Sequence, residues 1–337
     1  MRRRPHSAGL LLAFTLAACG RNEAPAPVTI PTGATMRAAS ESLHRAGVVG
    51  SPNAFRLYAR LRGSDRGIKP GMYVLNRGAS WETVLSSLRD GRGLVHPVTV
   101  PEGFTLAQIE VLLVSRLSVP ADSVRAAVTD STLLRRLNVP IATAEGYLFP
   151  DTYLFPPGTS ARAAVAAMVR RFEQAWRPEW TARLDTLARS RHELLTLASI
   201  VEREARLPAE RPVIAAVYWN RLGRRMLLQA DPTVQYALPQ YQSRLMHRHL
   251  EVASPYNTYK HPGLPPGPIG APGAASIEAT LYPASVPYLY FVGFPDGHHE
   301  FRVRLEEHQA AARLARRQWN ALRAQQRRTP IPVTPPR

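Results

Sequence analysis

Leu194–Tyr236 reads LLTLASIVEREARLPAERPVIAAVYWNRLGRRMLLQADPTVQY, and its first half carries a helical period. Leu194, Leu197 and Val201 fall on one face, and the next position on that stripe is Glu204. A carboxyl group set against Leu197, Ile200 and Val201 resists ionising, because burial disfavours its charged form. That is how a protein prepares a general acid for work near neutral pH. By periodicity alone the ordinary reading is different: Glu204 ends the apolar run and turns to solvent, as most helix-end carboxylates do.

Working outward, Glu193–Ala205 and Pro212–Leu222 read as helices, the second with its proline in the first turn. Ala161–Trp176 is a third helix, and Arg125–Leu137 reads as one more. Val95–Val100 alternates as a strand before PEGFTLAQIEVLLVSRL, a loop leading into a helix. Glu145–Tyr153 (EGYLFPDTY) is aromatic and proline-rich, suited either to bordering a sugar groove or to packing in the core. Towards the amino terminus, Met36–Ala46 and Ala54–Leu61 look helical, Met72–Leu75 is a strand, and Ser80 caps a helix from Trp81 to Leu88. Past Leu305 a basic helix leads to a proline-rich end expected to be disordered. No internal repeat is evident.

The chain has 337 residues, 45% hydrophobic and 20% charged, an ordinary globular composition with length for one large or two moderate domains. Its net charge of +18 is not ordinary, and apart from Lys69 and Lys260 the cations are arginines. Such a balance suits an anionic partner. Zinc-ligand spacing, a Walker-type phosphate loop and an RNA-binding aromatic signature are all missing, so nucleic acid is not expected. Arg2–Arg4, the apolar run Ala8–Ala18 and Leu16-Ala17-Ala18-Cys19-Gly20 together resemble a bacterial lipoprotein signal, with Cys19 as the lipidated residue. Cys19 is the single cysteine, so no intrachain disulfide forms, and no metal or cofactor is expected. The expected organisation is a signal over 1–18, a proline- and alanine-rich tether over 19–31, a small subdomain over 32–95, a main domain over 96–315, and a basic helix end with a tail over 316–337.

Four groups recur in the main domain: Glu202 and Glu204; Gln229, Asp231 and Thr233; Tyr256, Asn257, Thr258 and Tyr259; and His299 with Phe301. The proline- and glycine-rich loop His261–Gly273 can bring backbone close to a ligand. IVERE, WNRL, LQADPTVQY, SPYNTY, GLPPGPIGAPG and PYLYFV, in that order after EGYLFPDTY, resemble the endolytic murein transglycosylase family, also called YceG-like. The resemblance runs from about Thr32 to Gln309 and is densest between Glu145 and Phe301. A weaker likeness, of pattern more than motif, links 32–95 to LysM-like glycan-binding modules.

The resemblance implies an α+β fold: a small LysM-like βααβ-type subdomain, then a mixed α+β catalytic domain with a lysozyme-like, helix-borne glutamate. It implies cleavage of the bond between N-acetylmuramic acid and N-acetylglucosamine within peptidoglycan strands, closing a 1,6-anhydro ring without added water. One carboxyl group then serves first as acid and later as base, and the resemblance places it on Glu204. Glu202, above Ser199, Ala198 and Leu195, has the less apolar bed. By the same likeness Gln229 and Asp231 orient Glu204 or N-acetyl groups, and Tyr256, Asn257, Thr258 and Tyr259 line sugar subsites, with Glu202 beside them. His299 reads as structural. Partners implied are peptidoglycan strands, a membrane reached through Cys19, and peptidoglycan synthases. Two departures stand out. Ala205 replaces the hydroxyl residue that follows the acid in many members, and a lipoprotein-like signal replaces the usual transmembrane helix. Gly20 leaves the choice of membrane open. A non-catalytic peptidoglycan-binding lipoprotein and a two-carboxylate glycoside hydrolase using Asp231 stay as alternatives.

Overall fold

The computed structural model describes residues 24–64, 66–136 and 138–328; the signal-like segment, Cys19 and the proline-rich end lie outside them. The chain divides into two compact units, Met1–Val95 and His96–Arg337. In the first, strand β1 (Pro25–Ile30) is followed by helices α1 (Met36–Arg45) and α2 (Pro52–Leu61), strand β2 (Gly71–Asn76) and helix α3 (Trp81–Asp90). Strand β3 (Leu94–Thr99) straddles the division. Its Leu94 and Val95 pair with β2, and His96–Thr99 pair antiparallel with β4 (Thr152–Phe155) of the second unit.

Each helix of the first unit starts where a hydroxyl caps it. Thr35, Ser51 and Ser80 accept backbone N–H bonds from Ala38, Ala54 and Thr83. Gly91, at φ 83°, ends α3 in the left-handed conformation that suits glycine. Beneath lies a core of Val28, Ile30, Leu43, Phe55, Tyr73, Val84 and Leu88. The reading of 19–31 as a structureless tether needs correction for residues 25–30. PAPVTI alternates exposed and buried, with Ala26, Val28 and Ile30 inward, and pairs with β2 from Pro25↔Asn76 to Ile30↔Gly71. Pro25 and Pro27 face out, where a strand with a single partner tolerates their missing N–H, and so they disguise a period of two.

The second unit continues with α4 (Leu106–Leu117), α5 (Ala121–Thr129), α6 (Ser131–Arg136), β4, α7 (Ala161–Ala175), α8 (Pro178–Leu187), α9 (Arg191–Glu204) and α10 (Arg211–Gly223). After these come α11 (Asp231–Ala237), α12 (His247–Leu250), α13 (Ala274–Leu281), the hairpin β5 (Tyr290–Gly293) and β6 (His299–Arg302), and α14 (Leu305–Arg328). The single helix expected over Arg125–Leu137 is two. Asp130 takes an extended backbone, and its Oδ1 accepts from Thr132 and Leu133 N–H at 2.9 and 3.0 Å, so it caps α6 instead of continuing α5. Within LYPASVPYLYFVGF the strand is confined to Tyr290–Gly293, since Pro283 and Pro287 supply no N–H. The division drawn at 315/316 falls inside α14, which still packs beyond it: Trp319 Nε1 donates to Gly293 O at 3.2 Å.

Helix α9 is the centre of this unit. Ser190 and Glu193 form a capping box at its start, and Leu194 through Val201 are all buried. A helix apolar on all sides must be surrounded, and α10, α11 and α13 pack on it. One face joins the main core with Trp180, Phe172, Tyr147 and Ile277; the other joins a smaller cluster of Leu197, Ile200, Val201, Ile214, Tyr218, Leu228 and Ile269. Among the described residues no helix is long and apolar enough to cross a membrane.

Because Val28 is buried and Thr29 is exposed, Val28→Asp should cost about 3 kcal/mol and Thr29→Asp well under 1. Urea unfolding followed by circular dichroism checks this. Equal, negligible effects would mean that these residues are a tether after all.

Candidate active site

The smaller cluster is the floor on which Glu204 sits. Glu204 is the last residue of α9, half-buried, and Tyr218 from α10 donates its hydroxyl to Glu204 Oε1 at 3.2 Å. Tyr218 is itself buried and held edge-on by Phe291 of β5, with ring centres 5.8 Å apart. The Glu204 carboxyl is pushed up to about 8, first by burial and next by the charge of Asp231, with the Tyr218 bond and Arg206 acting the other way. At neutral pH it therefore holds its proton.

Asp231 opens α11 as an exposed carboxylate, and Tyr259 donates its hydroxyl to Asp231 Oδ1 at 2.6 Å. Gln229, two residues earlier, takes φ 48° in the left-handed region, which costs a side-chain-bearing residue about 1 kcal/mol. Its N–H bonds Thr258 O at 3.1 Å, and its side chain is exposed. Tyr256 is half-buried and lies against Tyr236 of α11, with ring centres 4.9 Å apart. Glu204, Asp231 and Tyr259 are thus coupled in one site, with Gln229 on the Asp231 turn and Tyr256 on the Tyr259 loop.

Three residues expected at the substrate do other work. Glu202 accepts from Arg211 at 3.2 Å and from Gly273 N–H at 2.9 Å, and its side chain is 6% exposed. Arg211 goes on to Ser276 Oγ at 3.0 Å, so Glu202 clasps α9 to α10 and α13. A Cβ at 273 would meet Glu102 Oε1 at 1.8 Å, so a larger residue there would have to displace the Glu102 side chain. Asn257 is fully buried and donates to Leu250 O and Val252 O at 2.8 and 2.9 Å. Thr258 is buried with Thr233, and the two hydroxyls lie 2.8 Å apart; Thr258 Oγ1 also accepts from Ala230 N–H at 3.0 Å. These two hold the Gln229–Asp231 turn against the tyrosine loop from below. His299 is structural too: its ring and N–H both bond Glu210, at 2.6 and 2.9 Å. Phe301 packs against the Glu204 floor.

Two site groups are not apparent in the sequence. Tyr218 sits in the apolar run IAAVYW and looks like core. Glu145 is 5% exposed yet ionisable: Leu106 N–H reaches both its oxygens at 3.2 Å, and Tyr236 donates to it at 3.0 Å. Burial pushes its carboxyl up to about 7 against these bonds. The adjacent Gly146, at φ 79°, lies so close to Pro268 that a Cβ would come within 2.3 Å. EGYLFP is therefore fitted under the proline-rich loop. WNRL is likewise a brace: Trp219 Nε1 donates to Thr280 O, Asn220 to Val286 O and Tyr288 O, and Arg221 to Leu289 O and Leu228 O. Among the described residues no cluster of His, Cys, Asp and Glu is arranged to hold a metal ion.

The chain is similar to the endolytic murein transglycosylase of Bacillus subtilis (strain 168), at 35% identity over 84% of this chain and 83% of that one. It is also similar to the endolytic murein transglycosylase of Streptococcus pneumoniae serotype 2 (strain D39), at 31% identity over 79% of this chain but 53% of that longer protein. Its structure resembles the crystal structure of a YceG-like protein from Listeria monocytogenes, with a TM-score of 0.63 and 32% identity over 85% of this chain and 98% of that one. The YceG-like family model matches residues 28–314, which takes in β2 to β6 and the whole Glu204 site. The chain belongs to the YceG-like family.

Proposed function

We propose that this protein is a lytic transglycosylase that cuts peptidoglycan strands internally, with Glu204 as its acid and then its base. The observation that carries the reading is the half-buried Glu204 carboxyl group on an apolar floor beside exposed polar and aromatic groups, where burial favours its protonated form. Family membership and the names of its relatives support the substrate class. Protonated Glu204 donates to the oxygen leaving C1 of the muramic acid. The resulting carboxylate then takes the proton of the same sugar's C6 hydroxyl as that oxygen closes on C1, giving a 1,6-anhydro end and restoring the acid. Tyr218 holds one oxygen of Glu204, which frees the other for the substrate. Asp231, exposed and buttressed by Tyr259, stabilises the positive charge that develops at C1 and keeps Glu204 protonated beforehand. Gln229, Tyr256 and Tyr259 contact the sugars, and Glu202, Asn257 and Thr258 keep the frame. The first unit binds glycan as LysM-like modules do, and acylated Cys19 holds the enzyme on the periplasmic face of a membrane beside peptidoglycan synthases.

A second reading, hydrolysis with Asp231 as partner carboxylate, draws on the effect of Asp231 on Glu204. Mass spectrometry of digested sacculi separates the two: anhydro ends are expected, and reducing ends would establish the hydrolase. Glu204→Gln should stop cleavage, by about a thousandfold or more, with the fold intact. Glu202→Ala should instead cost about 3 kcal/mol of stability by removing the nearer carboxylate from Arg211, which keeps only Glu102 at 4.0 Å. A cleaving Glu204→Gln variant would remove Glu204 from the chemistry.

The pH dependence has a definite sign. The acid must be protonated, so kcat/KM should fall as pH rises through about 8. The Tyr218 hydroxyl favours the carboxylate, so Tyr218→Phe should move that limb to higher pH; a move to lower pH would contradict the geometry. Stability carries the same mark. From about 4.5, where the unfolded carboxyls release their protons, folded Glu204 keeps its proton up to about 8, and Glu145 keeps its own up to about 7. Stability should therefore decline across that window, and less steeply in Glu204→Gln. Urea midpoints at pH 5 and pH 8 measure it.

A further inference from the structure

The first unit contains a cavity of about 540 Å³ built by residues of α1, α2 and the loop before β2. Arg37, Arg56, Arg60 and Arg66 line it, and among the described residues no carboxylate does. Elsewhere in this unit Arg62 pairs with Glu82, and both Arg89 and Arg92 with Asp90, while Arg45 and Arg77 bond Ser42 Oγ and Ala46 O. Among the described residues Arg37, Arg60 and Arg66 have no ion pair, and Arg56 bonds only Asn53, at 3.2 Å. Glu41, one turn beyond Arg37 on α1, makes no ion pair with it, and Asp65, beside Arg66 in sequence, lies outside the described residues. The first turn of α1 at the cavity rim carries no acidic residue. Four arginines lining one space favour an anion there, and their planar forks match the two oxygens of a carboxylate or the oxygens of a phosphate.

The cavity is not merely cationic. Met36 and Ile68 supply apolar wall. The ligand therefore carries both anionic oxygens and aliphatic groups, and it is compact enough to enter a concavity. We propose that this cavity binds acidic peptides, their carboxylates on the arginines and their aliphatic side chains on Met36 and Ile68. Their identification with the peptides borne by the wall polymer rests on the reading of the Glu204 site. Position favours a peptide over a lipid surface. β1 begins at Pro25, paired with Asn76, and ends at Ile30, paired with Gly71. Thr35–Arg37 and Arg66–Ile68 follow or precede the Ile30–Gly71 end, so the cavity belongs to that end. Chain leading back towards Cys19 leaves from the other end, about 17 Å along the strand.

Isothermal titration of the full chain with the acidic peptide Ala-γGlu-Ala, with its fully amidated counterpart, and with phosphatidylglycerol vesicles tests this. Binding of the acidic peptide is expected, weakened about tenfold or more by amidation, by Arg37→Ala/Arg60→Ala/Arg66→Ala together, and by raised salt. Equal affinity for peptide and amide overturns the proposal, as does equal affinity of wild type and triple variant. Vesicle binding that the triple variant loses, without peptide binding, overturns it in favour of a membrane surface. The amide comparison needs no variant, so it stands even where the triple substitution disturbs folding. No turnover enters the titration. Its failure leaves the Glu204 reading intact, and failure of that reading in the sacculus digest leaves the titration intact.

Discussion

Helix α9 is buried on every side from Leu194 to Val201, and that requirement organises the second unit. A helix of this kind cannot present an amphipathic face; neighbours must enclose it all round, and α10, α11 and α13 do so. Its buried polar residues, Thr196 and Ser199, are hydroxyls bonded to backbone; its carboxyl-terminal turn is the first place where charged side chains are tolerable, and two glutamates stand there. They meet different surroundings. Glu202 turns into the α10–α13 side, where Arg211 and the Gly273 N–H neutralise it. Glu204 turns onto the aliphatic cluster, where a single tyrosine hydroxyl reaches it. One residue became a clasp and the other an acid held protonated, from the same backbone and two positions apart.

The loops around Glu204 follow a division of labour. In SPYNTY, Asn257 and Thr258 point inward and satisfy backbone groups, while Tyr256 and Tyr259 lie on the accessible side. In LQADPT, Thr233 and Ala230 are buried against Thr258, leaving Gln229 and Asp231 exposed above them. Buried side-chain bonds of this kind fix a loop that has no regular ladder of its own. The cost of Gln229's left-handed backbone is carried by that frame.

Arginine has several uses here, which tempers the meaning of a net charge of +18. Arg221 is 8% exposed and braces three carbonyls, Arg183 donates to Leu281 O, and Arg191 lies 4.3 Å over the ring centre of Trp176. These guanidiniums are fixtures of the fold and are not free to attract a polymer. Arg37, Arg56, Arg60 and Arg66 of the first unit differ because they line one concavity that holds no counter-charge among the described residues.

Local pattern alone was enough to recover the helices with strong periods and hydroxyl caps, α1, α3, α7, α9 and α10, and the apolar stripe that ends in Glu204. Periodicity and capping act within a few residues, so they are readable without neighbours. Strand β1 was hidden because its prolines mask the alternation, and α13 because a short apolar run beside a glycine-rich loop has no distinctive period. Which glutamate carries the proton, why Tyr218 is a site residue and not core, and how Glu145 comes to be ionisable yet buried were decided only by packing. Each depends on partners far along the chain, Arg211 and Gly273 for Glu202, Tyr218 for Glu204, and Leu106 and Tyr236 for Glu145. The sequence determined that a carboxyl group would stand at the end of an apolar helix; the tertiary structure decided its charge, because desolvation and hydrogen bonding exist only once distant segments meet.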